Sequence, residues 1–167
     1  QLFSLLVSLC IGAWPCGATG IYVSETVAQP QSCSISIPQN APVMIYVTAV
    51  LSGQAAGGIM GAEFRIDGLP SDWALTFVPN PAVNSSIGDP LSGGCSLTFE
   101  DCQNGPAQSV VLGTIQGTAT TSVTNLEISV RAHTTPSGPN CIPSTRPTVI
   151  VCDAPIFTKV CADGHCV

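Results

Sequence analysis

The stretch IMGAEFRID, residues 59–67, sets apolar and polar side chains in alternation, with Met60, Ala62, Phe64 and Ile66 on one side and Glu63, Arg65 and Asp67 on the other. Successive side chains of a β-strand point to opposite faces, so this spacing predicts a strand, Ile59–Ile66, that covers one side of a core and shows its charges to water. A second run repeats the pattern: Leu126, Ile128, Val130 and Ala132 oppose Asn125, Glu127, Ser129 and Arg131 within an expected strand Ser122–Ala132. Upstream, Val43–Leu51 is apolar on both faces, with Val43, Ile45, Val47, Ala49 and Leu51 on one and Met44, Tyr46 and Val50 on the other. That pattern fits a central strand, or one whose outer face is covered.

Around these three lie further β-prone runs at Ile21–Val27, Cys33–Ile37, Ala74–Val78, Ser96–Phe99, Ser109–Ile115, Thr148–Val151 and Ile156–Val160, parted by Gly, Pro, Asn and Ser. No window has the spacing of an amphipathic helix. About ten short strands with turns this frequent predict an all-β fold, a two-sheet β-sandwich of Ig-like or jelly-roll type. The sandwich is assigned to residues 20–167, preceded by an apolar arm over residues 1–19. Two Pro-rich segments, 79–94 and 134–147, read as long irregular connections.

Composition narrows the function classes. The chain has 167 residues, 45% of them hydrophobic and 8% charged, with a net charge of −6 and nine cysteines. Such a chain has the apolar content for a core, and disorder is excluded. Its basic residues are Arg65, Arg131, Arg146 and Lys159, none adjacent to another. No phosphate-tracking stripe can be built from them, which excludes nucleic acid and anionic lipid as partners. Many cysteines with few charges point to an oxidising compartment, so the protein is expected to be secreted, extracellular or at the cell surface.

Proximity predicts disulfides Cys95–Cys102, Cys141–Cys152 and Cys161–Cys166, with Cys10, Cys16 and Cys33 left over. Because nine is odd, at least one thiol is free or pairs with a neighbouring subunit. CADGHC, 161–166, lacks the spacing of a zinc site, and Asp67, Asp72, Asp89, Asp101, Asp153 and Asp163 near strand ends form no calcium loop. His133 and His165 sit in no nucleophile-and-base setting, and Glu100 and Asp101 point to opposite sides of a strand. The expectation is a non-enzyme with no catalytic, cofactor or metal site. Asn84-Ser85-Ser86 is the sole N-glycosylation sequon, and Trp73 after a turn is either a core aromatic or a sugar-stacking platform.

The succession GIMGAEFRIDGLPSDW (58–73), PNP (79–81), GDPLSGGC (88–95), VVLGTI (110–115) and VCDAPIFTKVC (151–161) resembles a group of uncharacterised secreted proteins of environmental bacteria. That resemblance implies export and one Cys-containing β-sandwich, and brings no activity with it. More loosely, residues 43–68 are similar to the cohesin-type sandwich, where an apolar strand leads into an A-x-F-x-I strand.

The amino-terminal QLFSLLVSLCI has two readings. Its apolar run and the small residues Gly17 and Ala18 fit the tail of a cleaved signal peptide. It also alternates, with Phe3, Leu5, Val7, Leu9 and Ile11 on one face, and in this it resembles the donor strands of pilus subunits that assemble by strand exchange. On the second reading the protein is a structural subunit of an extracellular, pilus-like filament. Its partners are copies of itself, with glycans as a further partner, and it needs no membrane span. The alternative is a monomeric carbohydrate-binding or adhesion module, with residues 1–18 removed.

Overall fold

Alternation becomes pairing in the computed structural model, which describes residues 18–28, 34–136, 141 and 144–164. The strands are β1 (Gly20–Ser24), β2 (Ser34–Ile37), β3 (Pro42–Val50), β4 (Ile59–Asp67), β5 (Ala74–Pro79), β6 (Val83–Asp89), β7 (Gly94–Gln103), β8 (Ser109–Thr118), β9 (Val123–Glu127), β10 (Ser129–Arg131), β11 (Thr148–Val151) and β12 (Lys159–Cys161). Among the described residues there is no α-helix. One sheet has the order β1-β3-β8-β5; the second runs β12-β11-β4-β7-β6, with β10 also on β4; β2 and β9 form a small third sheet. All the ladders are antiparallel.

The two large sheets pack as a sandwich. Val43, Ile45, Val47 and Ala49 of β3 face Ala62, Phe64 and Ile66 of β4 and Leu97 and Phe99 of β7 across one continuous core. Phe64, fully buried, meets Phe77 of β5 edge to face at a centroid distance of 6.0 Å. Burying each such side chain stabilises the fold by roughly 1.5–3 kcal/mol. β3 is central, as its two apolar faces require: it pairs with β1 and β8, and on its outward row Thr48 stands between Tyr22 and Val111 with no exposed surface.

Three expectations need correction. The run Ser122–Ala132 is not one strand. It breaks at Ile128, β9 pairing with β2 while β10 pairs with β4, and Asn125 takes a positive φ of 52°. Residues 79–94 are not wholly irregular, because β6 lies inside them and pairs with β7 along Val83–Asp89. Near the carboxyl end the strand is Lys159–Cys161, since residues 153–158 make a turn in which the Asp153 carboxylate accepts from the Thr158 N–H (2.7 Å) and hydroxyl.

The cysteine pairing also differs. The structure joins Cys102 to Cys152 and Cys141 to Cys161, and leaves Cys95 as a buried thiol. Pairing Cys95 with Cys102 assumed a tight bend between them; both lie on β7, where Cys95 is opposite Phe64 and Gln103 opposite Ile59, five residues away along β4, so at about 3.3 Å per residue the two cysteines stand on the order of 15 Å apart, beyond disulfide reach. Cys102, near the end of β7, and Cys152, just after β11, instead lie on the two strands that flank β4, and Ile59 is opposite both Gln103 and Val151. The bridge therefore spans the start of β4 at Gly58, where a Cβ would lie 2.6 Å from the Cys102 Sγ and 3.2 Å from that of Cys152. Neither Cys141–Cys152 nor Cys161–Cys166 forms, because the partners of Cys152 and Cys161 are already taken. Cys166, like Cys10, Cys16 and Cys33, lies outside the described residues.

These bridges fit an oxidising environment. No helix among the described residues is long and apolar enough to cross a membrane.

Candidate functional site

The two flanks of the sandwich are built differently. On one, the edge of β1 is laced to residues 162–164: the Ile21 N–H donates to the Asp163 carbonyl (2.6 Å), the Asp163 N–H to Thr19 (2.7 Å), and the Val130 N–H to Gly164 (2.9 Å). The start of the β1 edge is thereby paired, which shortens the open stretch that the strand presents.

On the other flank, β5 ends one sheet and β6 ends the other, and among the described residues no backbone bond joins them. The chain crosses between them through a turn fixed by Asn80, whose side-chain amide donates to the Val111 carbonyl (2.7 Å) and whose side-chain oxygen accepts from the Ala82 N–H (2.9 Å). β5 turns Leu75 and Phe77 toward the core, both only partly buried. β6 is exposed along nearly its whole length; Val83, opposite Phe99 of β7, is partly buried against the core, and its further inward positions, opposite Leu97 and Cys95, are only Ser86 and Gly88. The seam is therefore flanked by two unpaired edges and thinly filled within. Exposed Val78 on β5 and Ile87 on β6, the latter with 71% of its surface open, add apolar area beside it.

A cleft of about 890 Å³ lies at the end of the sandwich where the chain enters β1. Val27, Val50, Pro106, Ala107 and Val111 make it largely apolar, and Gly20 faces Val50 in the β1–β3 register. β1 itself is the sheet edge opposite β5, and Asn80 of the β5–β6 turn lines the far side of the cleft.

The residues singled out in the sequence fall as follows. Phe3, Leu5, Val7, Leu9 and Ile11 lie outside the described residues. Asn84 is exposed on β6, at the unpaired edge, where a glycan would have room. Trp73 is buried, and its indole N–H donates to the Thr121 carbonyl and hydroxyl at 3.2 and 3.1 Å, so it is a core aromatic and not a sugar platform. Tyr46 is half-buried on the outer face of the β1-β3-β8-β5 sheet, its hydroxyl 3.5 Å from the Met44 sulfur. The aspartates are dispersed onto separate partners, Asp67 on Arg65, Asp72 on Thr120, Asp163 on Arg146. Among the described residues no three His, Cys, Asp or Glu side chains converge on a metal-sized space.

β6 is what sequence reasoning missed. Of its residues VNSSIGD only Val83 reaches the core, Ile87 is exposed and the rest are small or polar, so they carry no core alternation. The signal that was present is the hairpin turn after it: Asp89 accepts from the Leu91 N–H with its side chain and from Ser92 and Gly93 with its carbonyl, and Gly94 takes a φ of +113°. Comparison with protein-family models, curated proteins and solved structures finds no match to this chain, so the site rests on its own geometry.

Proposed function

We propose that the protein is a structural subunit of an extracellular filament, polymerising when the amino-terminal strand of one copy adds to the β5–β6 seam of the next. The observation that carries this reading is the seam itself, two unpaired edge strands with little side-chain filling between them on one flank of the sandwich. Phe3, Leu5, Val7, Leu9 and Ile11 are the donated side chains. Extended, residues 3–11 span about 26 Å, against about 17 Å for β5 and about 20 Å for β6, so the donor is long enough to run the whole length of either edge. Residues 1–19 lead into β1, the sheet edge opposite β5, and a strand donated from there to the seam of another copy makes a head-to-tail contact; head-to-tail contacts that do not close into a ring build open filaments. With only 14 charged residues, self-repulsion between copies is weak. The two disulfides among the described residues brace each unit for life outside the cell. Copies of the chain are the partner, and a glycan on Asn84 would sit beside the seam.

Light scattering of the eluted protein tests this. Wild-type chain is expected as multimers, and Val78→Lys with Ile87→Lys, which places charge on both edges, is expected as monomers with unchanged far-UV circular dichroism. A monomeric wild type, or multimers indifferent to both substitutions, would refute the reading.

A further inference from the structure

Away from the seam, the outward face of the second sheet holds an arrangement of charge that the fold alone does not require. Arg65 of β4 and Arg131 of β10 are directly opposite in the register, and their inward neighbours Ile66 and Val130 are buried, so both guanidinium groups stand on the outer face. Like charges directly opposed across a ladder destabilise it. The chain has only four basic residues and places two of them here.

The counter-charge is incomplete. Arg146 has Asp163 at 3.0 Å and Lys159 has Glu63 at 2.9 Å, each a carboxylate not shared with another of the cations described. Arg65 and Arg131 share Asp67. Arg65 donates to it through Nε and one terminal nitrogen, at 2.8 and 2.9 Å, whereas the Nε of Arg131 stands 3.8 Å away and donates to the Ser129 hydroxyl at 3.2 Å. Among the described residues the terminal nitrogens of Arg131 donate to no carboxylate.

Both arginines line a pocket of about 220 Å³ whose other walls include His133, Ser144 and Thr145. The Thr135 N–H donates to the His133 Nδ1 at 3.0 Å, so in the neutral ring the proton sits on Nε2, a further donor. The wall is held by the Ala132 N–H donating to the Thr145 carbonyl at 2.7 Å. Donors therefore outnumber acceptors around a space smaller than the roughly 300 Å³ at which ordinary small-molecule sites begin.

We propose that this pocket binds a single oxyanion group, a carboxylate or a sulfate or phosphate ester on a sugar or small solute, with Arg131 supplying the fork that grips it. A planar guanidinium matches two oxygens of such a group at once, which a point charge does not. Bound anion would give Arg131 a negative partner of its own, in place of the shared Asp67. Asp67 then acts as the internal competitor that holds Arg65 in place.

Side-chain Nε–Hε resonances of ¹⁵N-labelled full chain, followed during additions of sodium glucuronate, sodium sulfate and sodium phosphate at constant ionic strength, test the proposal. A saturable shift of the Arg131 signal with at least one anion is expected, and the anion that saturates first distinguishes carboxylate from ester. Arg131→Gln should lose at least tenfold in affinity while melting with the wild type, and Asp67→Asn, which releases the Arg65 fork, should bind several-fold more tightly. Linear, unsaturating shifts with all three anions, affinity unchanged in Arg131→Gln, or weaker binding in Asp67→Asn would each overturn it.

Discussion

Replacing Cys102 and Cys152 together by alanine removes a bridge that closes 50 residues of chain across the start of β4. In the chain-entropy account the constraint on the unfolded state grows with loop length, giving about 4 kcal/mol for this bridge. The Cys141–Cys161 bridge closes only 20 residues, which by the same account gives about 3 kcal/mol. For a chain of this size each kcal/mol moves the melting temperature by roughly 2–4 °C, so the double variant should melt about 8–16 °C lower. Alanine leaves no polar atom at either site, and Gly58 between them gains space, so new strain is not expected to blur the result. Circular dichroism melts of wild type and both double variants, without reductant, give the comparison. A loss under about 1 kcal/mol, or a larger loss from the shorter loop, would refute the reasoning. Non-reducing peptide mapping supplies a direct check: peptides joined through Cys102–Cys152 are expected, and a Cys95–Cys102 peptide would contradict the register of β7 on β4.

Further outcomes follow from single side chains. Phe64→Ala empties the centre of the core beside Phe77 and should cost about 3–5 kcal/mol in urea unfolding; a loss below about 1 kcal/mol would mean that the two sheets do not meet there. Burial, with the Asp89 charge adding to it, pushes the Cys95 thiol up to about 12, so iodoacetamide at mildly alkaline pH should label it only after unfolding, and rapid labelling of folded protein would contradict its burial. The Asp153 carboxyl is held below the usual carboxylate range chiefly by the Thr158 hydroxyl. A depressed folded value means that the turn's stabilisation is present above the unfolded pKa and is lost as pH falls through the folded one. Thr158→Val should therefore raise the Asp153 titration midpoint seen by ¹³C NMR, and an unmoved midpoint would sink that assignment.

How much of this was legible depends on what each residue faces. β4 was plain in the sequence because one face is core and the other is charged, and β3 because both faces are covered. Ser122–Ala132 misled because two strands that share a side-chain rhythm run on without a Gly or Pro, although they belong to different sheets. β6 was hidden because an edge strand that buries little beyond Val83 has no apolar period to show. The disulfides were unreadable from spacing, since strand order, not chain separation, brings Cys102 to Cys152. The pairing of Arg65 with Arg131 was equally invisible, because it depends on a register that 65 residues of intervening chain must set.

Negative-stain microscopy of the full chain beside a version lacking residues 1–17 tests the central claim most directly. The account predicts filaments of uniform width from the full chain, single particles from the shortened one, and recovery of short polymers when intact subunits are added to it. Dispersed single particles from the full chain at high concentration, or filaments that form equally well without residues 1–17, would contradict it.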